Sequence, residues 1–137
     1  MNMMRPTLSL VDRLRASGLR PTRQRLSLAK ILFDHGDRHV SAEQLHTEAM
    51  EQNVRVSLAT VYNTLHQFTD AGLLREIVVD AGRSYFDTNT STHHHFFFEG
   101  SGRLEDIPSE QVHLDRLPDA PAGHRIRRVD VIVRVEG

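Results

Sequence analysis

The 137-residue chain contains no cysteine. That absence excludes disulfides, zinc–thiolate centres and a cysteine nucleophile. Long apolar runs are missing as well. Nothing approaches the roughly 18 residues of a membrane span, and the N-terminus carries no signal-peptide core, so a cytoplasmic protein with no membrane partner is expected. Neither sign of charge dominates: 17 Lys and Arg against 18 Asp and Glu leave a net charge of −1. Composition alone therefore does not point to nucleic acid. There is no His-Glu-x-x-His, no phosphate-cradling glycine loop and no general base beside the histidines, so the chain does not read as an enzyme.

What is present concentrates in one place. His93, His94 and His95 lead directly into Phe96, Phe97 and Phe98. Residues two apart in a strand share a face, so His93 and His95 would stand about 7 Å apart on one side, with His94 on the other. Paired imidazoles on a stiff strand suit a borderline metal or a haem iron. Hydrophobic residues make up 39% of the chain, enough for one modest domain or two small ones that gain from oligomerisation.

The first half reads as four helices: Thr7 to Gly18, Thr22 to Gly36, one opened by the Ser41/Gln44 capping box, and Ser57 to Gly72. Leu73 to Val79 and Arg83 to Asp87 then alternate as a β-hairpin around Asp80-Ala81-Gly82. Helices followed by a hairpin describe a winged helix-turn-helix. Beyond a polar linker from Asn89 to Thr92, a second hairpin is expected over His93 to Glu99 and Arg103 to Ile107. A short helix from Ser109 to about Arg116 and a last strand from His124 to Val135 follow. Val129, Val131, Val133 and Val135 share one face of that strand, which needs a cover such as a sister chain. The expected fold class is α+β, with a winged-helix DNA-binding domain over residues 1–88 and a small α/β dimerisation domain over 89–137.

The fourth helix buries Leu58, Val61, Leu65 and Phe68 at helical spacing. Its other face offers Ala59, Thr60, Asn63 and Gln67, with Tyr62 on the shoulder. Short polar side chains of this kind read base edges, and Asn or Gln can pair bidentately with adenine. Arg83, on the wing, is placed for a phosphate contact that fixes register without reading sequence.

These residues resemble a known family. Gly18-Leu19-Arg20-Pro21-Thr22-Arg23-Gln24-Arg25, His39-Val40-Ser41-Ala42-Glu43 and Ser57-Leu58-Ala59-Thr60-Val61-Tyr62-Asn63-Thr64-Leu65 are similar to segments of the ferric uptake regulator family. The resemblance covers roughly residues 8 to 107. It implies a dimeric transcription regulator that holds operator DNA through Arg20, Ser57, Ala59, Thr60, Tyr62, Asn63, Gln67 and Arg83. Tyr62 would pack against thymine, and Arg20 would reach an A/T-rich minor groove. The resemblance also implies an inter-domain site for Mn(II), Fe(II) or Zn(II) at His39, Asp87, His93, His95 and Asp106.

There are departures from the family pattern. Phe98 and Ser101 occupy the positions of a Cys-x-x-Cys zinc site, His94 replaces an aspartate, and Asn63 stands where an arginine is common. A cysteine-free member with a triple-histidine strand is similar to the iron response regulator subgroup. The expectation is then a haem-responsive regulator of iron homeostasis, bound to A/T-rich operators when haem is scarce and released when haem binds at His93, His94 and His95. The alternative within the same fold is a repressor that needs Mn(II) or Fe(II), or senses peroxide, through the five metal ligands.

Overall fold

A computed structural model describes residues 9–137. It resolves into two compact units, one reaching to Thr90 and the other running from Ser91 to Gly137.

In the N-terminal unit, helices α1 (Leu10–Ala16), α2 (Arg23–Phe33), α3 (Ala42–Glu51) and α4 (Leu58–Asp70) each begin at a hydroxyl cap. Ser9, Thr22, Ser41 and Ser57 accept from the backbone N–H three residues on, at 3.1–3.2 Å. Such a bond satisfies an amide that the helix itself leaves without a partner. The expected cap Thr7 lies outside the described residues, and Ser9 starts α1 instead. Gly72 closes α4 with φ of +84°, a conformation that costs glycine nothing.

Strands β2 (Arg75–Asp80) and β3 (Arg83–Asp87) form the wing hairpin. Only Ala81 and Gly82 lie between them, because Asp80 pairs with Arg83 after a bulge at Val78–Asp80. The sheet also has a third strand that sequence periodicity did not reveal: β1 (His39–Val40) pairs antiparallel with β3, giving the order β1-β3-β2. Two residues are too few to show a period. Leu28, Leu32, Val40, Leu45, Val61, Leu65, Phe68 and Phe86 are fully buried in one cluster between these helices and the sheet. Each such side chain contributes about 1.5–3 kcal/mol by leaving water.

The C-terminal unit is one sheet of order β5-β4-β6. Strand β4 (His93–Phe98) pairs antiparallel with β5 (Arg103–Pro108) and parallel with β6 (Ile132–Val135). The expected helix from Ser109 to Arg116 is only a single 3-10 turn over Ser109–Gln111. Leu114, an apolar position of that span, is exposed and Val112 only half-buried, so among the described residues little would have held a longer helix to the sheet. The last strand is confined to four residues. Residues 124–128 are exposed and extend past the end of β4, where no partner strand continues.

Candidate DNA-reading and metal-binding sites

Helix α4 presents the two faces that its spacing foretells. Val61, Leu65 and Phe68 are buried, while Ala59, Asn63 and Gln67 are exposed and Thr60 and Tyr62 half-buried. Arg20, Arg25, Thr60, Asn63 and Gln67 line a polar groove of about 450 Å³. Four of the expected DNA contacts therefore line one groove, Thr60, Asn63 and Gln67 from α4 and Arg20 from the loop before α2.

Arg25 is the residue that sequence reasoning passed over here. Its Nε and Nη2 donate to Gln67 Oε1 at 3.3 and 3.1 Å, and its Nη1 donates to the Arg20 carbonyl at 3.0 Å. This fork ties α2 to α4 and fixes the loop carrying Arg20. It also occupies the amide oxygen of Gln67, leaving the NH2 as the group to present. Gln67 is thus prepared as a donor rather than for the bidentate adenine contact, which needs both amide atoms. In the sequence Arg25 was one cation among several, with no local sign of a partner 42 residues away.

Tyr62 is held by a second long-range bond. Its hydroxyl donates to Glu43 Oε2 at 2.8 Å, and its ring lies against His66 with centroids 6.4 Å apart. The hydrogen bond to Glu43, then desolvation, then the nearby negative charge push the phenol pKa above its ordinary value. Ser57 spends its hydroxyl on the α4 cap and on Thr60 Oγ1, to which it donates at 2.9 Å. On the wing, Arg83 Nη2 meets Asp80 Oδ2 at 2.6 Å, so any phosphate it contacts competes with that carboxylate.

The five expected metal ligands fall into two groups, one in each unit. In the N-terminal sheet His39 and Arg75 both lie opposite Asp87, on its two sides. Directly opposed residues share a face, so the buried Asp87 stands between an imidazole and the permanent charge of buried Arg75. Asp87 Oδ1 also accepts from the Asn89 amide at 2.9 Å.

In the C-terminal unit His93 and His95 lean together, with ring centroids 4.6 Å apart. The Nε2 atoms of His93 and His95 lie 3.6 and 3.4 Å from Asp106 Oδ1. Asp106 comes into reach because it is the β5 partner of His95. His93 Nδ1 lies 2.7 Å from the Ser91 carbonyl, an acceptor only, so Nδ1 carries a proton and Nε2 is the atom turned to Asp106. That is how a metal-ligating histidine is ordinarily oriented. Two imidazoles and a carboxylate, without sulfur, suit Mn(II), Fe(II) or Zn(II).

His94, on the opposite face, is committed elsewhere. The Val131 N–H donates to its Nδ1 at 3.1 Å, which places the ring proton on Nε2. The ring is 95% buried, with 5% exposed, and it pins the segment entering β6.

Among the described residues no helix is long and apolar enough to cross a membrane. The ferric uptake regulator family profile matches residues 16–131. The ferric uptake regulation protein of Shigella flexneri is 32% identical over 115 residues, covering 83% of this chain and 77% of that protein. A peroxide-responsive repressor of Staphylococcus aureus is 31% identical over 105 residues, 76% and 70% of the two chains. The solved structure of the ferric uptake regulator from Pseudomonas aeruginosa with manganese superposes with a TM-score of 0.68 at 25% identity, covering 91% of this chain and 95% of that one. With the profile covering most of its length and with such relatives, the chain belongs to the ferric uptake regulator family, whose members are transcription regulators.

Proposed function

We propose that this protein is a metal-responsive repressor that binds A/T-rich operator DNA as a homodimer when Mn(II) or Fe(II) is bound. The observation that carries the reading is the convergence of His93, His95 and Asp106, each offering a ligand atom within 4.8 Å of the others, with His93 already oriented by Ser91. A divalent ion would supply the positive charge that holds the two imidazoles and the carboxylate together. The relatives named for ferric uptake regulation, and the neighbour solved with manganese, support this class of signal. DNA contact falls to Arg20, Ser57, Ala59, Thr60, Tyr62, Asn63, Gln67 and Arg83, with α4 entering the major groove.

The haem-responsive reading suggested by the triple histidine, and with it the iron response regulator subgroup, has less support. His94 would have to move its proton from Nε2 to Nδ1 to ligate iron through Nε2, which removes the acceptor from the buried Val131 amide. Such an orphaned donor costs about 1–3 kcal/mol. His93 and His95 meanwhile face a carboxylate, which a divalent ion accommodates more readily than a porphyrin face does.

The deciding experiment measures binding of metal-stripped protein to an A/T-rich inverted-repeat duplex at fixed salt, with Mn(II), Fe(II) or haem added. The expected result is binding that appears with Mn(II) or Fe(II). Binding by stripped protein that is then abolished by haem would replace this reading with the haem-responsive one.

A further inference from the structure

A second groove of the N-terminal unit, about 280 Å³, is lined by Arg23, Gln24, Ser27, Asn53, Val54 and Arg55, and no acidic residue borders it. Gln24 also lines the α4 groove, so the two adjoin. Arg23 is the first residue of α2, and Arg55 precedes the α4 cap Ser57 by two residues. Asn53, at φ of +60°, ends α3 in the left-handed conformation that asparagine tolerates and turns the chain so that Arg55 meets the start of α2. Both arginines are exposed.

Their freedom sets them apart from their neighbours. Arg25, Arg38 and Arg83 are engaged by Gln67, Glu48 and Asp80. Among the described residues, the Arg23 and Arg55 side chains have no hydrogen bond or ion pair. Two unneutralised guanidinium groups, with a serine hydroxyl and a glutamine amide lining the same groove, form a donor-rich cleft suited to a phosphate diester. We infer that Arg23 and Arg55 clamp a backbone phosphate of the DNA whose bases α4 reads. The inference rests on the DNA-binding reading above and extends it to a site that holds α4 in register without recognising sequence.

Phosphate contacts ignore base identity, so the test does not require the natural operator. Full-length Mn(II)-loaded protein is titrated against an A/T-rich duplex and a mixed-sequence duplex of equal length, across about 50 to about 200 mM KCl. The clamp is one phosphate contact, and each lost contact should flatten the slope of log K against log[salt] by about 0.9, so Arg23→Ala with Arg55→Ala should flatten it by about 0.9 per protomer. The ratio of A/T-rich to mixed-sequence affinity should stay constant. Arg23→Lys with Arg55→Lys should restore most of the slope, which separates lost charge from a folding defect. An unchanged slope in the double alanine variant overturns the clamp while leaving the DNA-binding reading standing, as does an altered sequence preference at unchanged slope. A wild-type chain that binds neither duplex overturns both.

Discussion

The largest fully buried side chains of the N-terminal unit are Phe, Leu and Val, whereas in the C-terminal unit they are Phe97 and His95. His93 and His94 are each only 5% exposed beside them. An apolar core is indifferent to solutes and gains its stability from area removed from water. A core of imidazoles needs a partner for every ring nitrogen, and those partners decide what the unit responds to. The first unit is thus an apolar platform for α4, and the second has a core whose imidazoles depend on their hydrogen-bonding partners.

The largest contrast should come from deleting a core side chain in the first unit. Leu65→Ala removes a fully buried leucine from α4 and should cost about 2–5 kcal/mol, seen as a lower denaturant midpoint in chemical unfolding. A loss below about 1 kcal/mol would mean that the apolar platform is not close-packed as described.

His94→Ala probes the second unit without touching the proposed metal ligands. Leaving the Val131 amide without its acceptor should destabilise by about 1–3 kcal/mol, while Mn(II) affinity measured by calorimetry stays the same. A large drop in Mn(II) affinity would place His94 among the ligands.

Asp106→Asn replaces a half-exposed carboxylate with a neutral group of the same shape, so the fold should survive. Mn(II) affinity should fall about tenfold or more, and the rise in melting temperature that saturating Mn(II) gives to the wild type should shrink with it, because a ligand stabilises only through its affinity for the folded state. If the variant keeps its full Mn(II)-dependent rise, the site lies elsewhere.

The difference between the units also explains what the sequence disclosed. Apolar spacing and hydroxyl caps are local signals, so α2, α3, α4 and the wing were legible, as was the β4–β5 hairpin that sets Asp106 against His95. The failures are non-local or partnerless. Strand β1 exists because His39 and Val40 reach Asp87 and Phe86, far along the chain. The Ser109–Arg116 helix and the long last strand had local propensity but, among the described residues, no surface to pack on. Arg25–Gln67 and Tyr62–Glu43 join residues 42 and 19 positions apart. Neither pair has a spacing that a helical or strand period would expose. The orientations of His93 and His94 could only be read from Ser91 and Val131, and they favour the metal reading over the haem reading.

The smallest expected effect sharpens the platform side of the comparison. The raised pKa of Tyr62 means that the folded state favours the neutral phenol, first through its bond to Glu43. A group whose folded pKa is raised contributes stability that is present below the unfolded pKa, about 10 for tyrosine, and is lost as pH rises through the folded value. The ultraviolet absorbance of the tyrosinate form should therefore show the Tyr62 phenol ionising later than an ordinary tyrosine. The comparison variant Tyr85→Phe leaves Tyr62 as the sole tyrosine reporter. In that background Glu43→Gln removes both the charge and the strong acceptor, and should bring the titration back toward the ordinary value. An unchanged titration would show that burial rather than Glu43 sets the phenol. The consequence is local: throughout the neutral range Tyr62 keeps its proton and stays tied to α3 through Glu43, so the ring is held in one orientation on α4.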